Sequence, residues 1–199
     1  MPTPIAPKPG TGPRVPGFLG VIACACSLLG AAAVVAAPDD GKVGTGGPVT
    51  YLRAHMPEGD RGAVDDAFLR AHAEAAMEAW KSSPWAAQVD EALFLDAILP
   101  YASVSEKREL WIKPLRELCL PMVAGAKTPG EAAVMLNQKL FPAVKVKYST
   151  KRRRADQAPS ESMESGLASC TGLSILLVDA CRSVGIPARF VGTPMWTDR

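Results

Sequence analysis

The apolar positions of this chain change period several times, and each change marks an element. In 62–81, Val64, Phe68, Ala71, Ala75 and Ala79 recur at helical spacing, with Asp65 and Asp66 in the first turn, where negative charge suits the helix dipole. Ser82-Ser83-Pro84 breaks that helix. A second is expected over 89–99, with Leu93, Phe94, Ala97 and Ile98 inward and Pro100 as its stop. Ser103-Val104-Ser105-Glu106 has the form of a capping box and predicts a third helix through Leu110, Trp111, Leu115 and Leu118, kinked at Pro114. Thr128-Pro129-Gly130-Glu131 opens a fourth on Ala133, Leu136 and Leu140, ended by Phe141-Pro142. Over 144–148 the period falls to two, which predicts a half-buried edge strand with its lysines in solvent. The stretch 159–169 has no clear period and reads as a loop. From Leu173 to Val184 only Ser174, Asp179, Arg182 and Ser183 are polar. A helix apolar on nearly all sides belongs in a core. Gly185 and Pro187 end it, and 188–193 reads as a short strand.

The first 61 residues have a different character. Residues 1–16 carry Pro2, Pro4, Pro7, Pro9, Pro13 and Pro16 and cannot be helical. Residues 17–37 are almost wholly apolar and end in Val35-Ala36-Ala37. A basic start, apolar middle and small-residue end describe a secretory signal. The same run is long enough for a single-span anchor, and Val21-Ile22-Ala23-Cys24 resembles a lipoprotein cleavage box. All three readings mean export: periplasm, cell envelope or exterior. The expected organisation is thus a signal peptide or membrane anchor at 1–37, a linker at 38–61, a helical segment at 62–141 and an α+β core beginning at 142.

Apolar residues make up 48% of the 199, enough for a core, and the formal net charge of +2 selects no partner. The basic cluster is local: Lys145, Lys147 and Lys151-Arg152-Arg153-Arg154. It has no aromatic interleaving apart from Tyr148 and no nucleic-acid motif. It reads as a solvated loop or, second, as a contact for an acidic surface. Trp85 and Trp111 read as core residues rather than as a groove lining. No cofactor is implied. Gly44-Thr45-Gly46-Gly47 lacks the lysine of a phosphate loop, no Cys/His spacing suits zinc, and no calcium site is visible.

The candidate chemistry lies at Ser169-Cys170-Thr171-Gly172, where a loop becomes the core helix. The first turn of a helix offers unpaired N–H groups and a positive dipole end, which favour a thiolate and can receive an oxyanion. Cys170 is the candidate nucleophile, with Thr171 beside it as a candidate oxyanion or substrate contact. Cys170 and Cys181 lie about three helical turns apart, roughly 16 Å, too far for a disulfide. Cys119 and Cys181 could pair and leave Cys170 as the thiol. The two histidines, His55 and His72, read as a solvated linker residue and a surface or boundary residue.

Ala168-Ser169-Cys170-Thr171-Gly172-Leu173-Ser174, followed by Arg182-Ser183-Val184-Gly185-Ile186-Pro187-Ala188-Arg189, resembles the nucleophile segment of the transglutaminase-like superfamily. In that family a Cys opens a helix, the helix leaves through an Arg-x-x-Gly-Ile-Pro-Ala-Arg phrase, and a strand follows. The resemblance implies an α+β fold: a helical N-terminal segment, then the first half of a transglutaminase-like, papain-like core with the nucleophile helix packed on a small antiparallel sheet. It implies Cys170 as a catalytic thiolate acting on a protein or peptide substrate by hydrolysis or acyl transfer through a thioester. It also points to Gln157 as an upstream side-chain amide for the oxyanion. The family's His and Asp lie downstream of the Cys, and no histidine follows Cys170 here. The expectation is therefore the N-terminal, by itself inert, part of a longer enzyme. The rival expectation is a non-catalytic binding or scaffold domain at the cell envelope.

Overall fold

A computed structural model describes residues 47–192, so the apolar run at 17–37 and the last part of the expected strand at 188–193 lie outside the described residues. Seven α-helices and a two-stranded parallel sheet follow in the order α1 (Pro48–Ala54), α2 (Asp66–Lys81), α3 (Glu91–Ala97), α4 (Ile112–Val123), α5 (Pro129–Val144), β1 (Lys147–Tyr148), α6 (Pro159–Ser165), β2 (Leu167–Ala168) and α7 (Cys170–Ser183). The α+β class holds, with helix predominating. Among the described residues no helix is long and apolar enough to cross a membrane.

Helix α7 is the centre. Ile175 to Ser183 are all buried, and α2, α4, α5 and α6 pack around it. The expectation of a helix apolar on nearly all sides is met. Two of its interior residues, Arg182 and Asp179, are ionisable. Arg182 donates from Nε to the carbonyls of Ala97 (3.2 Å) and Ala188 (2.9 Å) and from Nη1 to that of Pro100 (3.0 Å). One guanidinium thus ties α7 to the end of α3 and to the segment leaving α7. Asp179 is fully buried, accepts no hydrogen bond among the described residues, and lies 3.9 Å from Arg182 Nη1. Burial pushes its carboxyl well above the usual carboxylate range, against the opposing pull of Arg182.

The sign of the resulting pH dependence follows directly. A carboxyl that holds its proton in the folded state but not in the unfolded one loses stability as pH rises above its unfolded value of about 3.9. Asp179→Asn should therefore be more stable than the native chain at pH 7, by on the order of 1 kcal/mol. The gain should fade toward pH 4 in urea titrations across that range.

Most element calls from periodicity survive with shifted ends, and each shift has a cause. Helix α2 starts at Asp66 because Asp65 is its cap, accepting from the Phe68 N–H at 2.8 Å. The Ser103 capping box forms only in part: the Glu106 carboxylate takes the N–H groups of Ser103 and Val104, but no helix follows. Arg108 holds this stretch as a strap, donating to Asp60 and to the carbonyls of Val104 and Glu106. Helix α4 begins only at Ile112, which places Pro114 in the first turn, where its missing N–H costs nothing, rather than at an interior kink. Helix α5 has its Thr128 cap but runs through Pro142 to Val144. Lys145, in the left-handed conformation, ends it.

Other expectations fail. Part of the expected linker is helix α1, whose Leu52 is buried and whose Arg53 pairs with Asp66 of α2. The expected loop at 159–169 is helix α6 followed by β2. Pro159 opens α6, Glu161 Oε2 accepts the Ala158 N–H at 2.9 Å, and Gly166 closes it at φ +66°. The small sheet is parallel, not antiparallel. Strand β1 pairs with β2 in the register Lys147–Leu167 and Tyr148–Ala168, and the helix between them is the crossover that parallel strands require. Residues 188–192 hold no strand, because the Ala188 N–H goes to the Ala97 carbonyl at 3.0 Å instead of to a strand partner.

Candidate active site

Strand β2 delivers the chain to Ser169, which caps α7: its Oγ accepts the Gly172 N–H at 3.0 Å and donates to the Ala155 carbonyl. Cys170 is therefore the first residue of α7, entered from a strand rather than from the expected loop, and it is exposed. Side-chain capping at the third position leaves the backbone N–H groups of Cys170 and Thr171 without acceptors among the described residues. Two donors thus flank the thiol at the positive end of a fourteen-residue helix, the arrangement that receives a developing oxyanion. Thr171, half-buried, belongs to this site through its backbone.

Gly172 makes the approach possible. A Cβ there would sit 3.2 Å from that of Ala168 and 3.5 Å from Ser162 Oγ. The start of α7 can lie against β2 and α6 only with this small residue. Helix α6 is in turn held by Glu109, which accepts from the Ser160 N–H at 2.9 Å and from its hydroxyl.

The other cysteines differ sharply. Cys119 is wholly buried, and desolvation pushes its thiol up to about 12. Cys181 is 1% exposed, and no disulfide forms among the described residues, so the expected Cys119–Cys181 pairing does not occur. Cys170 alone of these three offers its sulfur to solvent.

Gln157 corrects an expectation. Its side chain is fully buried, and Nε2 donates to the Glu161 carbonyl (3.3 Å) and to Ser165 Oγ (3.2 Å). Both amide hydrogens brace α6, so the side chain has no donor left for an oxyanion.

Neither histidine hydrogen-bonds to Cys170. His55, exposed at the end of α1, donates from Nδ1 to the Tyr51 carbonyl at 2.9 Å and stacks on that ring. His72 is not a surface or boundary residue. It is 1% exposed, donates from Nε2 to the Leu99 carbonyl at 3.0 Å, and packs among Phe68, Tyr101 and Trp111. Burial lowers its pKa to about 4, so the imidazole is neutral at physiological pH. The alanine-rich α2 has two similar faces, and the buried one runs through Leu69, His72, Ala76 and Ala79. Trp85 and Trp111 are core residues, each donating its indole N–H to a carbonyl, Gly185 and Tyr101 respectively.

Among the described residues no group of His, Cys, Asp and Glu is placed to hold a metal ion. Comparison with known proteins returned no match among curated proteins and none among solved structures. The family model described as the transglutaminase-like superfamily matches residues 116–199, a span that holds α4 to α7 and the exposed thiol. Over residues 116–199 this chain is similar to the transglutaminase-like superfamily.

Proposed function

We propose that Cys170 is the nucleophile of an exported cysteine enzyme that cleaves or transfers acyl groups at amide or peptide bonds. The observation that carries this reading is the contrast among thiols: one exposed sulfur at a helix start beside two uncommitted N–H groups, against two buried ones. The Cys170 thiolate attacks a carboxamide carbonyl carbon, and the oxygen takes the negative charge against the N–H groups of Cys170 and Thr171. The C–N bond then breaks, the amine leaves with a proton, and a thioester remains for water or a second amine to resolve. The group that takes the Cys170 thiol proton and returns it to the leaving amine is neither His55 nor His72, whose rings bond the Tyr51 and Leu99 carbonyls. Export rests on the apolar run at 17–37.

The second reading, a non-catalytic binding or scaffold domain, is favoured by the absence of any hydrogen bond from His55 or His72 to Cys170. Three observations bear on the two readings. Iodoacetamide should label Cys170 in the folded protein while sparing Cys119 and Cys181, and Cys170→Ser should remove that labelling. The 199-residue chain should itself hydrolyse no amide detectably. The reading frame beyond Arg199 then decides: a histidine followed by an aspartate in strand-like sequence supports the enzyme, and an immediate stop codon supports the scaffold.

A further inference from the structure

The basic cluster at 145–154 lies against the candidate nucleophile. Strand β1 pairs with β2, so the Ser149 N–H reaches the Ala168 carbonyl at 2.9 Å, two residues before Cys170. Six residues later the chain is tied to the same place, where the Ala155 carbonyl accepts from the Ser169 hydroxyl. Both ends of the 149–155 loop are thus fastened within two residues of the thiol, and the loop between them carries Lys151, Arg152, Arg153 and Arg154.

These cations are not equivalent. Arg153 pairs with Glu164 at 2.9 Å and Arg154 with Glu161 at 2.8 Å, so α6 neutralises the far side of the loop. Asp156 is engaged by the Ser105 hydroxyl and the field of Arg154. Lys147 and Lys151 are exposed and Arg152 is half-buried, and none has a carboxylate partner among the described residues. Arg152 bonds only the Thr150 carbonyl, at 3.1 Å, which fixes the side chain without neutralising it. The positive charge without a carboxylate partner therefore lies on β1 and within the 149–155 loop, whose two ends are fastened beside Cys170. Fixed cations beside a site concentrate anionic reactants there.

We propose that Lys147, Lys151 and Arg152 form a cationic wall beside Cys170 that selects acidic peptides as the acyl-donating substrate. This rests on the reading of Cys170 as the nucleophile. A peptide, rather than a nucleic acid, is the occupant because the thiol requires a carbonyl to attack and the loop offers no row of stacking rings, Tyr148 being its one exposed aromatic neighbour.

The test uses the full 199-residue chain and compares iodoacetate, an anion, with neutral iodoacetamide. Both deliver the same reactive carbon and the same leaving group, with mass spectrometry assigning the label to Cys170. At about 20 mM ionic strength the iodoacetate-to-iodoacetamide rate ratio should be about two- to threefold higher than for a free thiol. Lys151→Glu/Arg152→Glu should lower it about fivefold, and 0.5 M salt should erase the difference. Lys147→Glu, on a different element, should lower the ratio in the same direction, which keeps the result independent of any loop rearrangement. A glutamate-rich peptide should slow iodoacetamide labelling more than a glutamine-rich peptide of equal length. A ratio indifferent to all three substitutions, with Cys170 still labelled, overturns the cationic wall and leaves the nucleophile standing. Protection by an oligonucleotide equal to that by the acidic peptide overturns the assignment to peptides. A Cys170 that neither reagent labels overturns both readings.

Discussion

Replacing Arg182 by methionine is expected to remove about 3 kcal/mol of stability or more, because a buried guanidinium that bonds three carbonyls is lost. The side chain does three jobs from one position. It donates to carbonyls at Ala97, Pro100 and Ala188, the first of which also accepts the Ala188 N–H, and its charge is the nearest favourable one for Asp179. Methionine matches the length but leaves those carbonyls short of donors, each at a cost on the order of 1–3 kcal/mol. In a domain of this size a loss of that kind lowers the melting temperature by roughly 10 °C or more. Lysine keeps the charge yet cannot reach three carbonyls as a planar fork does, so Arg182→Lys should recover only part of the loss. Thermal unfolding followed by circular dichroism checks both. If Arg182→Met melts within two degrees of the native chain, the guanidinium is not what joins α7 to α3.

Gly185→Ala should cost about as much, on the order of 4 kcal/mol, for a different reason. Gly185 turns the chain out of α7 at φ +77°, a conformation that costs an ordinary residue roughly 1–2 kcal/mol. It also lies against α2: a Cβ would sit 2.5 Å from the Ala79 carbonyl oxygen and 2.7 Å from Ser83 Cβ, and the Gly185 carbonyl accepts the Trp85 indole N–H at 2.8 Å. The backbone of α2 cannot yield without disturbing the core behind it. Gly62 and Gly125 provide the control. Both have similarly positive φ, +85° and +88°, but no atom lies within 4 Å of where a Cβ would be. Gly62→Ala and Gly125→Ala should each cost only about 1 kcal/mol. Urea midpoints for the three variants separate backbone strain from collision. Equal losses at all three would refute the close approach of α7 to α2.

The two variants also bear on the site. Arg182 and Gly185 belong to the phrase by which the chain resembles the transglutaminase-like superfamily, and in the structure both hold the exit of α7. Cys170, at the other end of the same helix, is positioned by Ser169, Gly172 and the β1–β2 pairing. A helix pinned at both ends keeps its first-turn N–H groups in a constant direction, which an oxyanion site requires.

Where local signals were strong and uncontested, the linear chain was enough. The Thr128 cap, the apolar α7, the glycine that ends it and the cysteine at its start follow from neighbouring residues, because capping and periodicity are short-range physics. Helix α6 has its local signals in Pro159, Glu161 and Gly166 but no clear apolar period, the feature by which a helix is ordinarily read. What only the tertiary structure decided involves partners distant in sequence. The burial of His72 depends on Leu99, Tyr101 and Trp111; the non-helical strap at 103–111 on Asp60 and Arg108; and the parallel strand pair on a crossover helix. The commitment of the Gln157 amide to α6, and of the 188–192 segment to α3 rather than to a sheet, are of the same kind. A side chain or backbone amide with several acceptable partners takes the one that folding brings within 3 Å, and no local pattern of residues encodes which that will be.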